Sequence, residues 1–120
     1  MANNFIKLKF AFLIIWTILI LYYSIRFTIP PTGESGSFRL PGIEHISAYF
    51  IFAILLFLVL KEYKIRHLFV ASILITFMYG LGIEIIQIFI PWRNFSISDS
   101  LFNLIGSSLI ILFKPLLVIK

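Results

Sequence analysis

Two short motifs carry most of the residues in this chain that are capable of chemistry. The first is Glu84-x-x-Gln87-x-Phe89-x-Pro91-x-Arg93, set in the run GIEIIQIFIPWR, and the second is Asp99-x-x-x-Asn103-x-x-Gly106. Upstream stands His45, four residues before Tyr49. A carboxylate and an imidazole can exchange a proton with a substrate. Glu84 then serves as general base, His45 as acid or as its partner, and Asp99 as a further acid candidate. Arg93 presents a planar fork of donors matched to phosphate or carboxylate. Gln87, Asn103, His45 and Tyr49 offer neutral donors and acceptors for the polar edges of a ligand, and Glu84 a charged acceptor. His45, Glu84 and Asp99 are also metal-ligand types, but one His and two acids without close spacing give a metal site little support. There is no cysteine and no G-x-S-x-G elbow, and nothing asks for a cofactor.

The elements that position these groups are membrane helices. Of 120 residues, 61% are hydrophobic and 12% charged, with a mean hydropathy of +1.07. Soluble domains average roughly 45–50% apolar and about 25% charged residues. A soluble chain of this length could not cover so much apolar surface. Fourteen phenylalanines suit lipid-facing helices better than a small aqueous core. The net charge of +5 is scattered between apolar runs and forms no basic stripe, which excludes a nucleic-acid partner.

A hydrocarbon core of about 30 Å takes about 20 helical residues. Four segments meet that length, at residues 10–29, 41–60, 68–90 and 97–113. The expectation is an all-α, polytopic membrane protein, a bundle of four transmembrane helices forming one domain over residues 1–120. Lys7 and Lys9 precede the first apolar run as in a signal peptide, but no small-x-small cleavage site follows, so this segment reads as a retained helix. Pro115 is expected to end or bend the last helix. With the N-terminus inside, Lys7, Lys9, Lys61, Lys64, Arg66, Lys114 and Lys120 lie on the cytoplasmic side, against Arg26, Arg39 and Arg93 outside. That bias places both termini in the cytoplasm and the protein in the cytoplasmic membrane.

The polar residues then gather in the outer halves of spans two, three and four. Gly80, Glu84 and Gln87 share one face of the third helix, and Ser72 and Thr76 continue it inward. Asp99, Asn103 and Gly106 repeat the spacing on the fourth, and His45 and Tyr49 share a face of the second. Glu84 lies six residues below Ile90, roughly 9 Å along a helix axis. An unpaired acid at such a depth costs ~3 kcal/mol on insertion scales. Glu84 and Gln87 are therefore expected to face a polar pocket open to the outside, with Glu84 paired to His45 or Arg93 or protonated through desolvation. Plainer roles are available too. Asp99 fits a capping box with Ser96, Glu44 suits the first turn of a helix, Arg93 with Trp92 suits an interfacial anchor, and Glu84, Gln87 and His45 suit interhelical hydrogen bonds.

Taken together, these motifs resemble the VanZ-like family of small prokaryotic membrane proteins. The resemblance covers roughly residues 41–110 and includes His45-x-x-x-Tyr49 as well as the two motifs above. This chain departs from the family pattern in having Pro41 and Gly42 in place of an Asp-Lys pair, Trp92 in place of a glycine, and Ile110 in place of a small residue. The resemblance implies a cell-envelope protein whose best-known relatives are linked to low-level teicoplanin resistance. It does not imply a reaction.

Two function classes follow. In the first, an outward pocket recognises an anionic lipid headgroup, a lipid-linked cell-wall precursor or a lipoglycopeptide, with Arg93 on the anion and Gln87, Asn103, His45, Tyr49 and Glu84 around it. In the second, an intramembrane enzyme modifies such a lipid with Glu84 and His45 as an acid–base pair. Transport fits poorly, because four short spans need a homo-oligomer to form a path and no acid lies in the inner halves. A structural subunit for an envelope protein partner is the remaining class.

Overall fold

The computed structural model describes residues 2–26, 42–91 and 97–117. Helix α1 spans Ala2–Ile25, α2 Ile43–Glu62, α3 Leu68–Ile88 and α4 Ile97–Ser108; a 3-10 segment, Leu109–Phe113, and a single turn, α5 (Lys114–Leu117), complete the fourth crossing. Each of the four crossings is long and apolar enough to span a bilayer. The chain is a multi-pass membrane protein.

Its burial pattern departs from that of a soluble bundle. Ser72, Thr76, Glu84, Gln87, Ser100, Asn103 and Ser107 are buried, whereas Phe12, Ile18, Leu74, Met78 and Ile105 are exposed to the surroundings. Lipid tails are as apolar as these side chains, so the helices meet through small and polar residues as well as through an apolar cluster of Ile20, Tyr49, Phe52, Leu56 and Ile83. The pair α2 and α4 makes the tightest case. They run parallel, and a Cβ added to Gly106 would stand 2.9 Å from the Cα of Ile46. Phe50 and Phe113 extend this contact along the pair, with ring centroids 5.2 Å apart.

Helix α1 is more loosely held and is fastened by three hydrogen bonds to main-chain carbonyls. Trp16 Nε1 donates to Ala48 O at 2.9 Å, Tyr79 Oη to Thr17 O at 2.7 Å and Gln87 Nε2 to Ser24 O at 2.8 Å. Interhelical bonds of this kind average about 0.6 kcal/mol each in membranes. At the opposite end of α1, Lys9 pairs with Glu62.

Several boundaries differ from those expected. Helix α1 begins at Ala2 rather than at residue 10, because Lys7 and Lys9 continue the helix while their long stems carry the charges to its end. Helix α3 stops at Ile88, and Phe89 and Ile90 close it with bonds to Ile86 O and Gln87 O, since the residue before a proline is pushed out of the α conformation. Pro115 does not end the last crossing but lies inside α5. With no N–H to give Ile111 O, and a ring that crowds that carbonyl, Pro115 follows a segment tightened to 3-10 geometry.

Candidate functional site

Where α1 and α3 end and α2 and α4 begin, a cavity of about 440 Å³ opens between the helices. Trp16, Leu19, Ile20, Tyr23, Ser24 and Arg26 wall it from the first crossing. Glu44, His45, Ala48 and Tyr49 wall it from α2, Gln87 from α3 and Asp99 from α4. Helix ends bring these groups together. Glu44 occupies the first turn of α2 and Asp99 the first turn of α4, where the helix dipole favours an acid. Gly42 caps α2 with φ +84°, a conformation that glycine adopts without a Cβ penalty, and its carbonyl accepts the N–H of Ile46 at 2.9 Å.

His45 is the best-held side chain at the wall. Its Nδ1 lies 3.0 Å from Asn103 Oδ1, and its Nε2 lies 3.6 Å from Asp99 Oδ1. His45 and Asp99 are each the third residue of a helix, so the parallel packing of α2 and α4 sets them level. Asn103 is 1% exposed and, with the Tyr49 ring, rests against Gly80: a Cβ there would meet Asn103 Nδ2 at 2.7 Å and Tyr49 Cε1 at 2.8 Å. The absence of a side chain at Gly80 leaves the room that these two groups occupy. Tyr49 continues into the bundle by stacking on Phe52, with centroids 6.1 Å apart.

Glu84 and Gln87 share a face of α3 but not a depth. Gln87 reaches the cavity wall, whereas Glu84, one turn further in and 1% exposed, is not among the residues that line it. His45 is hydrogen-bonded to Asn103 and stands within ion-pair distance of Asp99. Among the described residues, no three His, Asp or Glu side chains gather closely enough to hold a metal ion. Gln87 has a fixed amide orientation. The carbonyl of Ser24 only accepts, so the nitrogen must face it, and Oε1 finds no hydrogen-bond partner among the described residues.

Arg93, Arg39, Trp92 and Ser96 lie outside the described residues, and with them the anion-binding, anchoring and capping roles expected of these positions. The described arginine at the cavity is Arg26, whose guanidinium carbon stands 4.7 Å from the centroid of Tyr23. Together with Trp16, Tyr23, Ser24 and Glu44 it was not singled out by motif spacing. Its position at the end of an apolar run, after two tyrosines, was the one available signal.

The profile of a family described as VanZ/LLP1 matches residues 3–118 of the chain. No curated protein and no solved structure matches it.

Proposed function

The chain belongs to the VanZ/LLP1 family, and on that premise we propose that it is a cell-envelope protein whose cavity recognises a lipid-borne headgroup carrying an anionic group. The observation that carries this reading is the make-up of the cavity wall. Arg26, His45 and Gln87 stand beside Trp16, Leu19 and Ile20, at the end of a bundle whose outer surface is hydrocarbon-like. A headgroup still attached to its acyl chains presents the same combination of polar and apolar parts. A phospholipid, a lipid-linked cell-wall precursor and a lipoglycopeptide all have this form. Arg26 offers the bidentate fork that phosphate or carboxylate accepts, and Arg93, at the end of its motif, is the second cation proposed for the anion.

One observation favours a second reading. His45, fixed between Asn103 and Asp99 at the wall of a cavity, has the arrangement of an oriented acid or base, so an intramembrane enzyme acting on the bound lipid is the alternative. Glu84 joins this chemistry only if it reaches the substrate from below the wall. Native mass spectrometry of the protein in mild detergent separates the two. The recognition reading expects wild type and Glu84→Gln to retain the same lipid, and Arg26→Ala and Arg93→Ala to lose it. A lipid that wild type carries in converted form and His45→Gln or Glu84→Gln carries unconverted would favour the enzyme. Identical nonspecific phospholipids in all of these proteins would contradict both.

The distribution of Lys and Arg supports a topology in the cytoplasmic membrane with both termini inside and the cavity outside. The chain has no cysteine, so single cysteines report this directly. In intact cells an impermeant maleimide should label Ser47→Cys at the cavity end and spare Lys64→Cys; the reverse pattern would invert the topology.

A further inference from the structure

Resting on the proposed headgroup recognition, we infer that the cavity selects a zwitterionic headgroup, a primary ammonium close to a phosphate, with the ammonium held by Gln87, Glu44 and Asp99 and the phosphate by Arg26. Gln87 is the starting point. It lines the cavity and is 6% exposed, its Nε2 is committed to Ser24 O, and its buried Oε1 has no donor among the described residues. A buried acceptor left without a partner is costly, and an N–H or O–H from a ligand removes that cost. Two further acceptors, the carboxylates of Glu44 and Asp99, line the same cavity from the first turns of α2 and α4.

Charge points the same way. The described lining carries two carboxylates and one guanidinium, with His45 beside them. A headgroup that is anionic throughout would meet Arg26 favourably and the two acids unfavourably. A headgroup carrying both charges meets both. A primary ammonium has three N–H donors, one for each of the acceptors contributed by α2, α3 and α4. A quaternary ammonium has the same charge but no N–H, so it leaves Gln87 Oε1 unsatisfied. Of the three aromatic side chains that line the cavity, Trp16, Tyr23 and Tyr49, Tyr23 already carries Arg26 at 4.7 Å.

The test is a competition for the full-length protein. Protein stripped of lipid by detergent exchange is offered an equimolar mixture of phosphatidylethanolamine, phosphatidylcholine and phosphatidylglycerol with identical acyl chains, and the retained headgroups are counted by mass spectrometry. Phosphatidylethanolamine should exceed each of the others by about tenfold, the worth of the ammonium's charged hydrogen bonds. In Glu44→Gln and Gln87→Met that preference should fall toward parity while lipid is still retained through Arg26. Soluble phosphoethanolamine at the lipid's concentration should displace none of it, because the acyl chains supply much of the affinity. Equal retention of the ethanolamine and choline lipids, or a preference for phosphatidylglycerol, would overturn the inference and leave headgroup recognition standing. Displacement by the soluble compound would overturn the assignment to a lipid. No selective retention of any lipid by wild type would overturn both. The wild-type comparison decides the matter even if a variant fails to fold.

Discussion

Gly106→Ala destabilises the bundle by about 1–3 kcal/mol, the usual cost of forcing extra atoms into a packed contact, and larger residues there prevent assembly. The expectation follows from what a new Cβ meets. At Gly106 it meets the main chain of Ile46, at 2.9 Å from the Cα, and a backbone cannot rotate aside as a side chain can. Helices α2 and α4 must separate, and His45 then loses the register with Asp99 and Asn103 that their parallel contact supplies. Two other glycines of the same bundle serve as internal controls. A Cβ at Gly80 meets the amide of Asn103 and the ring of Tyr49, groups that can shift, so Gly80→Ala should cost less in stability while disturbing the cavity wall directly. A Cβ at Gly82 meets nothing within 4 Å among the described residues, and Gly82→Ala should be neutral or stabilising by up to about 1 kcal/mol through helix propensity. Thermal unfolding in one detergent ranks the three. The order Gly106, Gly80, Gly82 from worst to best is the expected one, and a Gly106→Ala protein as stable as Gly82→Ala would mean that α2 and α4 do not meet as described.

The four crossings were legible because apolar runs of bilayer length have few other uses, and the face shared by Gly80, Glu84 and Gln87 was legible because helical periodicity is regular. What periodicity does not encode is depth relative to a neighbour. Glu84 and Gln87 lie on one face, but the packing of the bundle closes over Glu84 and leaves Gln87 at the cavity wall. Partner choice was hidden for a similar reason. The spacing of His45 and Glu84 within their own helices says nothing of how α2 and α4 align, and it is that alignment that gives His45 to Asp99 and Asn103.

The contribution of α1 was the least legible. Two of the bonds that dock it end on the carbonyls of Thr17 and Ser24, which no residue type advertises. The carbonyl of Ser24 can take Gln87 because it belongs to the last turn of α1, where main-chain acceptors have no partner within the helix. The boundary at Leu109–Phe113 was half legible. Pro115 announced a disturbance, but its effect falls on the turn before it rather than at the proline itself.

The second large effect is a contrast between neighbouring residues, and it also tests the central claim, that a lipid headgroup enters the cavity between the helices. Leu19 lines the cavity, whereas Ile18 is 59% exposed and does not line it. Both lie seven or eight residues before Arg26, roughly 10–12 Å along the helix from it. At that depth a bilayer offers acyl chains, and a headgroup is present only if the protein carries it there. A photoreactive residue placed at position 19 or 18, in membranes containing a trace of lipid labelled on its headgroup, reads the difference. Strong headgroup labelling at position 19 with background labelling at position 18 is the predicted result. Equal labelling at the two positions, or none at either, would contradict a headgroup site in this cavity.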